Sequence, residues 1–363
     1  MPTTRHWGLV LAFLAGLWAV TTTAAQDGTT KQDTKTEKKK DDTKADDQKK
    51  GDDQKKTEEQ KKDEKDLKKD ETKQEEKKKR DAGQDEAPVV PAWKFDAPFS
   101  QTWTTTIDQT VTVGSKDATQ GKEPVKYHYD LTTKVTWTPK AEAGATAQDG
   151  KGTQLLMLTV DDVTVTGKAG ERAMEADAVG PAAALKRMQG AAVAVRLELP
   201  SMKAQIVDFD RTRASLPPEA ARLLSEGLLL AQVQAAFPPL PGKKDATATA
   251  PERTVPTGFG KYTVKSTYTN TGAEGKKVNL KVDADWSFAP GGGSGGMKID
   301  SAELKNAKLT GAVVFDAAKG MVESSSLKGS DITQTLKVSS GKDSYEVVVV
   351  MTYDQKVTTT GRK

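Results

Sequence analysis

The sequence contains no cysteine and only two histidines among its 363 residues. Without cysteine there can be no disulfide, no lipid-bearing cysteine behind a signal peptide and no thiolate metal site. His6 lies in the N-terminal segment, so His128 is the one histidine of the predicted globular part. Ser-His or Cys-His nucleophile pairs and His/Cys metal clusters therefore have no support. We expect no catalytic residues, no metal ligands and no cofactor, and hence a protein that is not an enzyme.

The N-terminus also lacks an apolar run long enough to cross a bilayer. Arg5 precedes the apolar stretch Trp7–Val20, and the small residues Thr21–Ala25 follow it. A membrane span needs about 20 apolar residues. The pattern is typical of a secretory signal peptide over 1–25, and a membrane anchor is the alternative. We expect an exported protein, periplasmic or extracellular, with no lipid anchor and no transmembrane span after cleavage.

The next segment, 26–87, is poor in apolar residues. From Asp27 to Glu86 it holds 20 Lys or Arg and 21 Asp or Glu, with Leu67 as its only large apolar side chain. Such a segment cannot form a core, which predicts a disordered charged spacer, with a specific binding arm as the alternative. Its balanced charge offers no long-range field to a nucleic acid, and neither does the net charge of +4 of the whole chain.

The remainder, 88–363, alternates apolar and polar residues in long runs, which indicates antiparallel strands. The clearest runs are Tyr127–Trp137 and Val278–Phe288, and each ends two residues before a proline. The spacing predicts two meander halves, about 93–210 and 257–360. The same alternation in Leu309–Thr360 predicts a final meander of three strands.

The last strand is the longest of them. From Ser344 to Thr358 it would span roughly 50 Å at about 3.3 Å per residue, whereas a domain of this size is about 48 Å across. Val348 and Val350 lie on the face opposite to Val349, so we expect the centre of this strand to be covered on both faces. The predicted fold class is mainly β: a long-stranded antiparallel curved sheet or open barrel with one buried helix. A two-sheet β-sandwich is the alternative.

The buried helix is predicted over 217–237. Ser215 provides the N-cap, and a wide apolar stripe through Leu224 and Leu228 predicts that the helix fills the concave side of the sheet. Before it, the sequence predicts a short helix over 181–189 and strands over 191–199 and 204–209. After it, 242–256 has the composition of a linker.

Two carboxylate pairs are candidates for a site. Asp283 and Asp285 share one face of a predicted strand at about 6–7 Å, while the neighbours Asp161 and Asp162 are expected on opposite faces. Paired carboxylates serve glycosidases or hold Ca²⁺. Lys281 flanks the first pair, however, and alternating charges on an exposed strand are usually only solubilising. Neither pair is assigned as a site.

The order of elements from Leu185 to Pro241 resembles a known family. A short helix ending at Gly190 is followed by a strand, a Leu/Ala-rich helix, Phe237-Pro238-Pro239-Leu240-Pro241 and an extended stretch at Gly258-Phe259. Together with the hairpin from Gly311 to Gly320, this is similar to a family of uncharacterised exported bacterial β-rich proteins, a domain of unknown function. The resemblance covers about 88–360. It implies a β-rich fold and transfers no functional residue.

Two functions remain open from the sequence. The first is a non-catalytic protein whose curved sheet binds an apolar ligand, such as a lipid, with the helix as lid or plug. The second is a structural or protein-interaction module of the bacterial cell envelope. The sequence favours the first, because a curved sheet and an apolar helix define a pocket.

Overall fold

The computed structural model describes residues 89–115, 123–140, 152–174, 186–216, 218, 221, 226–257, 260–291, 297–341 and 343–362. The predicted signal peptide (1–25), the predicted spacer (26–87) and most of the predicted helix 181–189 lie outside these residues. Most of the described residues are in strands, and two helices accompany them: α1 (Phe209–Ala214) and α2 (Glu226–Ala236).

The strands follow the alternation of the sequence. In chain order they are β1 (Phe99–Ser115), β2 (Val125–Lys140), β3 (Gly152–Ala169), β4 (Arg172–Ala173), β5 (Ala192–Leu199), β6 (Lys203–Val207), β7 (Thr247–Thr249), β8 (Arg253–Thr257), β9 (Gly260–Glu274), β10 (Lys277–Pro290), β11 (Met297–Lys305), β12 (Lys308–Asp316), β13 (Met321–Ser340) and β14 (Asp343–Arg362). The prolines that end the two clearest runs, Pro139 and Pro290, lie in the last two residues of β2 and β10.

All fourteen strands belong to one antiparallel sheet with the order β6-β5-β3-β2-β1-β14-β13-β12-β10-β9-β7, to which β4, β8 and β11 add as further partners. The two predicted meander halves join where β1 pairs with β14 along its whole length, from Phe99 to Ser115. The mainly β, antiparallel prediction is confirmed. The sheet is continuous and open, so the two-sheet sandwich is not what the chain forms.

The strands bury one face of the sheet, here called the interior face. Val111 of β1 lies beside Val349 of β14 and Val125 of β2, and Val349 is fully buried. On the outer face of the same strand Val350 is 37% exposed. The expectation that the centre of β14 is covered on both faces is therefore wrong. The valines on the outer face contribute β propensity instead, since branched side chains fit an exposed pleated strand.

The sheet forks at a bulge in β13. The register shifts between Gly329 and Ile332, and Asp331 has a positive φ of 54°. Before the bulge β13 pairs with β12, and after it β13 pairs with β11. A bulge bends its strand and increases the local twist, so β12, β10 and β9 turn away from the plane of β13 and β14.

This turn brings distant strands face to face. The ring of Trp286 in β10 lies 5.3 Å from that of Tyr353 in β14 in an edge-on contact. The hydroxyl of Tyr262 in β9 donates to the side-chain carbonyl of Gln334 in β13. Residues of β1 and β2 belong to the same buried cluster as Tyr262, Trp286 and Tyr353. The interior face is thus buried largely against itself, which confirms the curved sheet.

Helix α2 completes the core. It contacts both β6, at one end of the strand order, and β8, which pairs with β9 near the other end. Its side chains Leu229 and Val233, together with Phe237 just after it, are buried in the cluster that contains Trp137. In the described part of the predicted helix 217–237, the buried helix packed on the concave side is therefore confirmed.

The segment before α2 differs from the prediction in detail. Ser215 is the C-cap of α1, and its hydroxyl donates to the carbonyl of Thr212. Phe209 begins α1 instead of ending a strand. The alternation that suggested a longer strand stops at Val207, where Asp208 adopts a left-handed φ of 52°. That conformation breaks the strand, and Asp is one of the few residues that adopt it readily.

The buried centre of β14 can be tested with one substitution on each face. Val349→Asp should destabilise the chain by several kcal/mol, a large share of a total of about 5–15 kcal/mol, because an unpaired carboxylate would enter an apolar layer. Val350→Asp, one residue along on the outer face, should change the stability by about 0.5 kcal/mol or less. Thermal melting of both variants checks this. Equal melting temperatures for the two would contradict the assignment of faces.

Candidate functional site

The part of the interior face nearest to the end of α2 is filled by aromatic side chains. The ring of Phe237 lies 4.7 Å from Trp137 and 5.3 Å from Trp93. The indole nitrogen of Trp93 donates to the carbonyl of Pro238 at 3.2 Å. Edge-on aromatic pairs of this kind add about 0.5–1.5 kcal/mol each beyond burial. The end of α2 is therefore well anchored.

Three glutamines point into the interior, and they differ in their partners. The side-chain carbonyl of Gln101 accepts from the indoles of Trp103 at 3.2 Å and Trp137 at 3.0 Å. Gln334 accepts from Tyr262, as described above, while its amide nitrogen has no protein partner in the described part of the chain. Both amide atoms of Gln109 lack one as well. Gln109 and Gln334 are 2% and 0% exposed, so these amides lie in an apolar layer.

Buried phenols surround these amides. The hydroxyl of Tyr129 has no partner among the described residues, and burial raises its pKa, with a smaller contribution from Tyr127. Burial also raises the pKa of Tyr262, although the hydrogen bond to Gln334 opposes the shift. These phenols are neutral at physiological pH. The polar groups in the middle of the interior are therefore uncharged.

A small cleft lies between α2 and the sheet. Its volume is about 30 Å³, whereas a cavity of about 10–15 Å³ already holds one water molecule. The lining consists of Ala231, Gln232 and Ala235 of α2 with Arg253, Val255, Val264, Trp286, Leu327, Tyr353 and Gln355 of the sheet. Sites for drug-sized ligands measure about 300–1,000 Å³. In this conformation the cleft is too small for a ligand of that size.

The charge in this cleft comes from Arg253 of β8. Arg253 pairs in register with Val264 of β9 and shares its interior face. The guanidinium donates to the hydroxyl of Ser266 at 3.3 Å, and it forms no ion pair with a carboxylate of the described residues. Burial raises the pKa of Tyr268 and of Tyr353, and the charge of Arg253 opposes both shifts. The positive charge is therefore directed toward the interior.

Sequence reasoning missed Arg253 because it placed 242–256 in a linker. Pro256 argues against a central strand, but it is compatible with a short strand at an edge. The alternation of Arg253 and Val255 was the available signal. An inward arginine in a strand this short looks the same in sequence as an outward one until the partner strand is known.

The predicted carboxylate pairs do not form a site. Asp283 is paired with Lys281 at 2.9 Å, and the side chains of both are partly exposed. Asp161 lies in a register shift of β3, so it accepts from Thr136 at 2.7 Å while Asp162 lies 3.9 Å from Lys134. Both carboxylates are thus on the outer face. The expectation of opposite faces is wrong because the bulge adds one residue.

His128 lies on the outer face between two carboxylates. Its ring nitrogens are 2.7 Å from Asp108 and 2.8 Å from Asp130. The hydrogen bonds to these two carboxylates raise the pKa of His128. Burial acts to raise the pKa of Asp130, but the hydrogen bonds from Thr106 and His128 outweigh it and lower that pKa. The expected solvated histidine is thus a half-exposed one held by ion pairs.

Within the described ranges, no group of three or more His, Asp or Glu side chains is placed to hold a metal ion. Helices long and apolar enough to cross a bilayer are likewise absent from that part of the chain. The expectation of a non-catalytic protein without cofactor stays a prediction.

Comparisons with known proteins add little. No family profile matches the chain, and neither does any curated protein. Among solved structures, a lipovitellin described by its lipid–protein interactions aligns at a TM-score of 0.36 with 12% identity, over 74% of this chain and 26% of that one. Rv2717c from M. tuberculosis aligns at 0.17 with 9% identity, over 73% and 92%.

Ail, the attachment invasion locus protein of Yersinia pestis, aligns at a TM-score of 0.11 with 4% identity, over 71% of this chain and 98% of that one. Scores this low carry no argument about fold or function. The resemblance to a family of uncharacterised exported proteins stays a prediction.

The interior glutamines provide a matched test. Gln101→Met should destabilise the chain by about 1–3 kcal/mol for each indole N–H left buried without its acceptor. Gln109→Met should leave the stability unchanged or raise it, because methionine of similar shape replaces an amide that has no protein partner. Chemical denaturation of both variants measures the difference. A loss for Gln109→Met as large as that for Gln101→Met would contradict the assigned partners.

The ion pairs of His128 predict a pH-dependent stability. Because its pKa is raised above the normal value of 6.5, the pairs stabilise the folded chain fully below that value, and the stabilisation is lost as the pH rises through the raised pKa. His128→Gln should therefore lower the melting temperature at about pH 5.5 and have little effect at about pH 9. An effect of equal size at both values would exclude the ion pairs as its cause.

Proposed function

We propose that this chain is an exported, non-catalytic protein that binds an apolar ligand inside its curved sheet, with α2 as the lid. The observation that carries the proposal is the position of α2 between the two ends of an open sheet. The helix contacts β6 on one side and β8 on the other, and a cleft remains along the β8 side. A movement of α2 would therefore open the interior face.

The side of α2 next to the cleft is suited to such a movement. It carries Ala231, Gln232 and Ala235, which bury less apolar area than Leu229, Val233 and Phe237 do on the side that packs into the core. Each buried Å² of apolar surface contributes roughly 25 cal/mol. The side of α2 that faces the cleft therefore carries the smaller apolar side chains.

An apolar ligand would cover the interior surface that α2 uncovers when it moves. If an acyl chain takes the place of helix side chains on the interior face, apolar surface is exchanged for apolar surface, and little is exposed to water. The interior face offers Val264, Trp286 and Leu327 as the first surface inside the cleft. Ligand binding and displacement of the lid are in this way coupled.

The alternative function is a structural or protein-interaction module of the cell envelope without a small-molecule ligand. The observation that favours it is the tight packing of the interior around Phe237, where four aromatic rings lie within 6.5 Å of that ring. Under this alternative α2 is a permanent part of the core. The two functions differ in what the purified protein retains.

The test combines native mass spectrometry with dye binding on the full chain. The purified protein should retain a lipid-sized molecule, and after delipidation it should bind the neutral dye Nile red with increased fluorescence. Ala235→Trp, which fills the cleft, should reduce dye binding at least about tenfold, since the bulky ring occupies the mouth. Gln234→Trp, one residue earlier in α2 and outside the cleft lining, is the control.

A protein that retains nothing and does not bind the dye would contradict the proposed function and support the envelope module. Equal dye binding by both tryptophan variants, at unchanged melting temperature, would show that the cleft is not the mouth.

A further inference from the structure

An arginine faces the interior next to the cleft, and this requires an explanation. Arg253 has the interior-face register of Val264 and Ser266, which are buried. Arg253 itself is half-buried, and taking a charge even partly out of water is costly unless it is paired. In the described part of the chain its guanidinium donates to the neutral hydroxyl of Ser266.

The groups around Arg253 do not neutralise it. The charge of Arg253 acts to lower the pKa of Tyr268 and of Tyr353, but burial outweighs it, so both phenols stay protonated. The adjacent Glu252 lies 3.4 Å from Lys265, in an exposed pair. The remaining polar residues of the cleft lining, Gln232 and Gln355, are uncharged amides. In the described part of the chain the cleft thus carries a single positive charge and no carboxylate.

We propose that Arg253 is the counter-ion for the carboxylate of a single-chain fatty acid bound in the cleft, and this proposal rests on the proposed function. The planar guanidinium matches a carboxylate with two parallel hydrogen bonds. Gln232 and Gln355 add amide donors at the same mouth. The acyl chain runs inward over Val264, Trp286 and Leu327, where it takes the place of the α2 side chains.

The head group is a carboxylate for two reasons. One cation balances one negative charge, whereas a phosphate monoester carries nearly two at neutral pH. The cleft is also small, with a volume of about 30 Å³, so a compact head group requires less movement of α2 than a bulky phospholipid head does. A carboxylate with one chain meets both conditions.

The experiment measures displacement of Nile red from the delipidated full chain by dodecanoate and by dodecanol, which share a chain and differ in the head group. The parent should bind dodecanoate at least about tenfold more tightly than Arg253→Gln does, while dodecanol should bind both proteins equally. Lys265→Gln removes an exposed cation from the neighbouring strand. This control should leave both affinities unchanged.

The outcomes separate the two proposals. If dodecanoate and dodecanol bind but Arg253→Gln changes neither, the carboxylate site is wrong and the proposed function stands. If neither compound displaces the bound dye, the fatty-acid site is wrong, and the retained lipid and the dye binding itself decide the proposed function. If Arg253→Gln does not fold, the parent alone decides: dodecanoate should bind at least about tenfold more tightly than its uncharged methyl ester. Equal binding of acid and ester would overturn the role of Arg253.

Discussion

The fold depends on one constraint: nearly all the apolar side chains of a very long sheet lie on a single face. Val349 is buried while its neighbour Val350 is exposed, and the same division holds along β1, β2 and β10. No second sheet and no layer of helices covers this face in the described residues. The sheet can remove it from water only by curling until the face meets itself. The bulge in β13 allows this, because it lets β12 and β11 continue the sheet from two halves of one strand.

Curling leaves two features that a flat or layered sheet would not have. The first is an interior in which polar groups are far from water, so their hydrogen bonds are decided by which strands meet. The side chain of Gln101 accepts hydrogen bonds from two indoles. The side chain of Gln109 has no hydrogen-bond partner among the described residues. The second is a gap between the ends of the strand order. Helix α2 fills this gap, anchored by Phe237 among aromatic rings at one side and in contact with β8 at the other.

The proposed function follows from this second feature. Side chains of a helix that completes a core by lying between two sheet ends can be replaced by another apolar group, such as an acyl chain. In the proposed site Arg253 sets the orientation of the ligand, because a single cation at the mouth holds the charged end of an amphiphile there. The filled state of the interior and the small cleft are consistent with a lid that is closed over the interior face.

The sequence by itself determined the long strands, their antiparallel sense and most of the side chains that they bury, because strict alternation over long runs with turn residues between them leaves few other structures. It also determined the presence of an apolar helix in the middle of the chain. It could not determine that the outer valines of β14 are exposed, since an apolar residue in a strand is compatible with both environments. It placed Asp161 and Asp162 on opposite faces, because a bulge leaves no clear mark in the alternation. Only the tertiary structure decided that Arg253 lies beside Trp286 and Tyr353. That position depends on the pairing of β8 with β9 and on the curl of the sheet, and both arise from contacts between residues far apart in sequence.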